Sequence, residues 1–365
     1  MTDLDKSSLY LLSRCEGIGP IKATKLLAHF SSPSDLMHTS SKELREKLVQ
    51  LIPQIELFFR SDWREKRLAE RDVLASSGIQ LLYKGNTDYP PNLVHVSDAP
   101  LVLYASGQSL SAEKKLLSIV GTRAMTAYGK KVIEQLLMGL DANQLIIVSG
   151  LAKGVDAYVQ SMATEMRFEV ASVVAHGLDT TYPRCHFSLR RKIEKHGCTF
   201  SEFFNGVKPL AGHFVARNRI IAGLSEATLI VESAQSGGSL TTADFAFGYQ
   251  RLLIAVPGRV SDGYSLGCNR LIGELKAQLY VGPETLIEAL QLKQSLRQKL
   301  AVSEIQFKNK NDKKLYEYLV KNGRVYPSQL LRQANMEKEE IYTSLFSLTL
   351  DGIIVHHNDN SYEIL

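Results

Sequence analysis

Cysteine is scarce, with four among 365 residues. Cys15, Cys185, Cys198 and Cys268 lie far apart and form no C-x-x-C pair, which argues against structural zinc and against a disulfide framework. Long apolar runs are missing as well. None approaches the ~20 residues that span a bilayer as a helix. The N-terminus, MTDLDKSSLYLL, places acids where a signal peptide needs bases. These absences predict a cytoplasmic protein with no membrane contact. Neither charge sign dominates: the net charge is +5, so a polyanionic partner must be read from where basic residues cluster. The chain also lacks a GxSxG elbow, an HExxH helix and a Walker phosphate loop. Its nine histidines show no metal-ligand spacing. No catalytic residue, metal or cofactor is therefore expected, and binding is the simpler reading.

What the chain does have is a set of glycine-rich turns placed after apolar runs. They read SIVGTRAMTAYG from Ser118, IVSGLAKGVD from Ile147 and LIVESAQSGGSLTTADFAFG from Leu229. Each has the order strand, tight turn, helix. In an open parallel sheet that order sets the turns along one edge, at the carboxyl ends of the strands. Main-chain N–H groups and helix N-termini there favour anions. Several such turns suit a ligand with several phosphates, hence a nucleotide or a nucleic-acid strand.

Residues 1–77 show helical periodicity and no convincing strand. Glu16-Gly17-Ile18-Gly19-Pro20 makes a tight turn between two amphipathic stretches, with Lys22 and Lys25 nearby. The turn resembles a helix-hairpin-helix (SAM-like) module that holds DNA backbones; a turn that only packs accounts for it equally. Residues 78–290 contain the strand candidates IQLLY, PLVLYA, LLSIVG, LIIVSG, VASVVA, CTFSE, ATLIVE, LLIAVPG and AQLYV, alternating with helical stretches. Continuous apolar strands are buried on both faces. The fold class expected is α/β, an extended Rossmann-like parallel sheet flanked by an N-terminal helical domain and a C-terminal winged-helix domain. A polar, lysine-rich linker is expected over 291–311. Residues 312–365 read as three helices and two short strands around HNDN, with Gly352 closing the third helix. That helix is rich in acids and poor in Arg and Lys, which favours protein contact over DNA reading.

Among candidate site residues, Gly121 permits close backbone approach, Thr122 offers a hydroxyl, and Arg123 projects a guanidinium fork suited to phosphate. An Arg paired with a neighbouring carboxylate is the plain alternative. Gly237, Gly238 and Ser239 open the helix after ATLIVE as a second anion-type turn. Gly150 and Gly154 flank Lys153, and Asp156 reads as a structural cap. Arg217, Asn218 and Arg219 are expected to start a helix, RNRIIAGLS. Cations there oppose the macrodipole, so they imply an anionic ligand or a carboxylate such as Glu202 or Glu232. The stretch TYPRCHFSLRRKIEKHG adds Arg184, Arg190, Arg191, Lys192 and Lys195, some of them ordinary solvated charges. Tyr182 and His186 are candidates to stack on bases or to pack a loop.

Taken in order, SIVGTRAMTAYG, VSGLAKGVD, HGLDTTYP, FVARNRIIAGLS, SGGSLTTADFA, AVPG and GCNRLI closely resemble the DNA processing protein A (DprA, or Smf) family. The resemblance covers nearly the whole chain. It implies single-stranded DNA binding, protection of incoming strands, loading of RecA recombinase during natural transformation, a homodimer through the Rossmann-like domain, and no established catalysis. By motif match it implies DNA contacts from Arg123, from Arg217 with Asn218, and from Gly121, Thr122, Gly237, Gly238 and Ser239 along the same edge. There are departures. Tyr158 and Val159 stand where the family usually has an Ala-His pair, and His186 replaces a usual Asn. The alternative from another class is a phosphoribohydrolase-like enzyme acting on nucleotide monophosphates, which would need Glu202 or Glu232 beside the pocket.

Overall fold

The computed structural model describes residues 1–39, 41–293, 307, 309–334, 336–357 and 359–364. They fall into two compact units, 1–293 and 294–365.

The first unit carries helices α1 (Asp3–Ser13), α2 (Pro20–Leu27), α3 (Pro33–Met37), α4 (Lys42–Leu51), α5 (Glu56–Phe59), α6 (Ser61–Ser76), α7 (Pro91–Val94), α8 (Ala127–Gly139), α9 (Val155–Glu165), α10 (Phe187–His196), α11 (Ala211–Leu224), α12 (Ser239–Gly248), α13 (Leu266–Gly273) and α14 (Pro283–Ala289). Its strands are β1 (Gln80–Tyr83), β2 (Val102–Gly107), β3 (Lys115–Val120), β4 (Leu145–Ser149), β5 (Glu169–Val174), β6 (Cys198–Ser201), β7 (Ala227–Ile230), β8 (Leu252–Ala255) and β9 (Gln278–Leu279). All nine strand candidates of the sequence are present. They form one sheet in the order β1-β2-β6-β5-β4-β3-β7-β8-β9. Pairing is parallel from β6 to β9, and antiparallel only where β1 and β2 extend one side.

Every residue of β4 is buried, as an interior strand covered on both faces requires. Successive residues feed opposite cores. Leu145 and Ile147 face one apolar cluster, while Ile146 and Val148 face the other. The first cluster also takes in Leu9, Leu12, Leu36, Phe58 and Leu74 from the N-terminal helices, together with Tyr83 and Tyr104 of the sheet. The expected boundary between 77 and 78 therefore has no counterpart as a gap in packing. The guanidinium of Arg14 lies 3.9 Å from the ring centroid of Phe204, tying α1 to the loop after β6.

The Gly17 turn between α1 and α2 has φ +80°, and Pro20 occupies the first turn of α2. The Nζ of Lys22 donates to the Gly17 carbonyl at 3.3 Å.

In the second unit, helices Lys310–Asn322, Pro327–Gln333 and Lys338–Leu350 precede an antiparallel strand pair, Ile354–His356 with Tyr362–Ile364. Leu315, Leu319, Leu330, Ile341, Leu345 and Ile354 make its core. Gly352 follows the C-cap Asp351 with φ +67°, the left-handed closure that glycine supplies. Most of the expected linker, 291–311, and Asn358 of the HNDN turn lie outside the described residues. No described helix is long and apolar enough to cross a membrane.

Candidate nucleic-acid interface

The chain runs from β3 to β4 on one side and returns with β7 on the other. Strand order thus reverses at β3, and the crevice beyond the carboxyl ends of β3 and β7 is where open α/β sheets take ligands. The three glycine turns follow β4, β3 and β7, which are neighbours in the sheet. Between them opens a cleft of about 450 Å³. Gly121, Thr122, Arg123, Arg217, Asn218, Gly237, Gly238 and Ser239 all line it.

Tight packing holds the GTR turn. The Thr122 N–H donates to the Glu232 carbonyl at 2.8 Å, and the Val155 N–H donates to the Thr122 carbonyl at 3.1 Å. A Cβ on Gly121 would meet Cγ2 of Val155 at 2.7 Å. Gly154 sits beneath the turn with φ +75°, and a Cβ there would run into the Thr122 carbonyl oxygen. Glycine is needed at 154 on both counts.

The turn amides differ from expectation. Those of Thr122 and Val155 donate from one turn to another, and those of Gly150 and Gly237 donate to acceptors within their own turns. The N-cap of α12, Gly238, has no side-chain cap, and of the first-turn amides the Leu240 N–H already donates to the Gly237 carbonyl at 3.0 Å. The first N–H groups of a helix lack intrahelical acceptors, and Ser239, Thr241 and Thr242 of that turn all line the cleft.

The three basic-Asn residues part company. Helix α11 begins at Ala211, so Arg217 lies in its second turn, not at its N-terminus. The macrodipole argument for these arginines therefore fails, because AGHFVA continues the helix backwards. Arg217 is 4 % exposed. Its Nη1 donates to the carbonyls of Gly150 and Val173, and its Nε donates to Oδ1 of Asn218 at 3.1 Å. Burial lowers its pKa to about 10, against the pull of Asp156 and with help from Arg123. Asp156 is buried beside it and accepts the Gly150 N–H at 3.1 Å. Burial raises the Asp156 pKa, and Arg217 pulls it back. Arg217 is thus the floor of the cleft. Asn218 links that floor to the rim, its Nδ2 donating to the Gly238 carbonyl at 3.4 Å. Arg219 does not line the cleft and is a correction to the expected site. It points to the opposite side of α11, where it forks onto Glu202 and donates to the Asp98 carbonyl.

Arg123 is the contrasting case. It is exposed and makes no ion pair among the described residues. Its guanidinium lies 5.2 Å from the ring centroid of Phe214. The paired-carboxylate alternative for Arg123 therefore falls away.

Phe214 is a cleft-lining residue that sequence reasoning passed over. It lies half-buried at the cleft wall, within 5.8 Å of the Tyr182 ring. The signal was its spacing: residues 214, 217 and 218 share one face of a helix at i, i+3 and i+4. A second cavity of about 140 Å³ adjoins the cleft, and Arg123, Ala152, Phe214 and Arg217 line both. Lys153, His176, Tyr182 and Pro183 are among its other lining residues. The His176 Nε2 accepts the Tyr182 N–H at 3.2 Å, so its proton sits on Nδ1, 2.9 Å from the Gly177 carbonyl. Burial also lowers the His176 pKa; the ring is a neutral wall. His186 is tied by Nδ1 to the Leu151 carbonyl at 2.8 Å. Arg190 is likewise internal, held by Glu194 at 2.7 Å.

Fold and cleft together define a Rossmann-like α/β protein with one cationic, aromatic-walled crevice at its switch point. The family model for DNA recombination-mediator protein A matches residues 80–291. The chain is 37% identical over 200 residues to DNA processing protein DprA of Streptococcus pneumoniae, which spans 55% of this chain and 71% of that protein. The X-ray structure of DprA from Streptococcus pneumoniae matches with a TM-score of 0.60 at 28% identity, covering 78% of this chain and 95% of that one. A structure reporting the single-stranded DNA binding mode of DprA from Helicobacter pylori matches with a TM-score of 0.53 at 29% identity, covering 58% of this chain and 95% of that one. The chain belongs to the DNA recombination-mediator protein A family.

Proposed function

We propose that this protein binds single-stranded DNA without regard to sequence, along the cleft at the β3–β7 switch point. The observation that carries this reading is Arg123, an unpaired, exposed guanidinium beside an aromatic ring at the mouth of an anion-accepting cleft. Arg123 and the α12 N-terminus hold phosphate, and Phe214 supplies a face on which any base stacks. Gly121, Thr122, Gly237 and Gly238 shape the rim, while Arg217 and Asn218 position it from below.

The role is binding and delivery, with RecA recombinase as the receiving partner and natural transformation or recombination as the setting. Neither Glu202 nor Glu232 lines the cleft. Glu202 is forked by Arg219, and Glu232 accepts from the Thr126 N–H and hydroxyl. Two engaged carboxylates favour binding over nucleotide cleavage. A homodimer through the sheet edge fits as well: β9 is the last strand, both its residues are exposed, and Leu275 and Val281 beside it are 91% and 79% exposed. Such an edge pairs readily with a second copy. Four free cysteines suit the reducing cytoplasm.

The test is fluorescence anisotropy with oligo-dT across a salt series. Affinity is expected to fall with salt as bound phosphates release counterions. Arg123→Ala is expected to weaken binding about 10- to 100-fold, the worth of one charge-assisted contact, with the melting temperature unchanged. Wild-type affinity in that variant would refute the reading.

A further inference from the structure

We propose that the strand path continues out of the cleft past Tyr182 into a second groove along α10, where Arg184, Phe187 and Arg191 carry further nucleotides of the same single strand. The proposal rests on the reading of the cleft as a single-strand site and extends it.

The groove holds about 830 Å³. One loop, Thr181 to Arg184, contributes to the walls of both the groove and the small cavity beside the cleft. Tyr182 and Pro183 line the small cavity that adjoins the cleft, and Thr181 and Arg184 line the groove. Consecutive Cα atoms lie about 3.8 Å apart, so one strand leaving Phe214 and Tyr182 meets Arg184 within a short step. From there the groove follows one face of α10. Phe187 and Arg191 are i and i+4 on that helix and stand on the same side.

The chemistry matches a single strand. Arg184 is exposed, and its side chain makes no hydrogen bond or ion pair among the described residues. The Phe187 ring is 59% exposed, an open apolar face flanked by two guanidinium groups. The Arg191 side chain is 68% exposed and meets Glu194 only at 3.6 Å. Alternating cations and aromatic faces form a stacking platform for unpaired bases. Two carboxylates also line the groove, and both are already engaged. Glu194 is buried against Arg190 at 2.7 Å, and Asp179 accepts the Gly206 N–H at 3.0 Å. The Glu194 charge is balanced by Arg190, while the exposed Asp179 keeps its charge at the groove wall, where it is outnumbered by Arg184, Arg190 and Arg191.

Two oligo-dT probes separate the groove from the cleft: one of about six nucleotides, which the cleft alone accommodates, and one of about twenty. In Arg184→Ala/Arg191→Ala, the short probe is expected to bind as in wild type. The long probe is expected to weaken at least about 10-fold, with a salt slope shallower by about 1.4, the release expected from two single-strand phosphate contacts. Phe187→Ala is expected to weaken the long probe about 5-fold or more at unchanged slope. Lys42→Ala/Lys47→Ala removes equal charge from α4 and is expected to change neither probe. Circular dichroism melts coincide with wild type if the folds are intact, as expected for exposed side chains. Long-probe binding equal to wild type in the α10 variants overturns the proposal, and is the result expected if the groove takes a peptide instead. Equal loss in the α4 variant also overturns it, by showing diffuse charge attraction. If wild type binds neither probe, the cleft reading itself has failed.

Discussion

Replacing Arg217 by Met tests whether that arginine supports the cleft or grips the ligand. The substitution keeps the length of the stem and removes the guanidinium. It leaves the Gly150 and Val173 carbonyls without their donor and Asp156 without its cation, all in a region where Arg217 is 4 % and Asp156 is 6 % exposed. Each buried acceptor left unsatisfied costs about 1–3 kcal/mol, so the set is expected to cost about 3–5 kcal/mol. For a unit of this size that lowers the melting temperature by about 5–15 °C. Differential scanning calorimetry at neutral pH reads the loss directly. Asp156→Asn in the same chain removes the stranded charge, so the double variant is expected to recover part of it. The pH dependence has a definite sign. Burial raises the Asp156 pKa and Arg217 restrains it, so losing Arg217 raises it further. A carboxyl that binds its proton more tightly in the folded state stabilises that state as pH falls. The Arg217→Met deficit is therefore expected to shrink from neutral pH towards mildly acidic pH. Unchanged melting with lost DNA affinity would refute this reasoning and make Arg217 a direct ligand group.

Three further outcomes follow from the same geometry. Phe214→Ala is expected to weaken oligo-dT binding by about 1–3 kcal/mol, the worth of one stacked base, at constant salt slope; anisotropy titrations at two salt concentrations check both. Gly154→Ala imposes a side chain at φ +75° against the Thr122 carbonyl; strain of about 1–3 kcal/mol is expected, with weaker DNA binding because Arg123 rides on the displaced turn, read by calorimetry and anisotropy together. Asp5 in α1 is held at a pKa of about 2: burial pushes it up, but hydrogen bonds from Thr2 and Ser34 outweigh that. Its stabilising contribution is present above the ordinary carboxylate range and is lost as pH falls through about 2. Asp5→Asn is thus expected to melt earlier than wild type at neutral pH and to converge with it in acid, as thermal melts across that range would record.

Strand positions were legible because a buried parallel strand needs a continuous apolar run, as in LIIVS of β4. The glycine turns were legible because a tight strand-to-helix passage needs φ or space that other residues deny, as at Gly154. Arg219 was legible only in part: Glu202 stood as an alternative partner for these arginines, without saying which of them it holds. Arg217 and Arg219 are two residues apart, and only the helical setting sends one to the cleft and the other to Glu202. The start of α11 escaped for a related reason, since AGHFVA lacks a capping residue: Leu210 provides no side-chain hydrogen bond. Phe214 escaped because an aromatic residue announces burial as readily as it announces a binding face.

By itself, then, the sequence determined the α/β class, the nine strands and the family, since local periodicity and turn chemistry are written in neighbouring residues. Tertiary structure alone decided which cations stay free. Among the described residues Arg123 makes no ion pair, while Arg217 lies near buried Asp156 and Arg219 is forked onto Glu202, and the charge available to a ligand depends on partners brought close in space from distant parts of the chain.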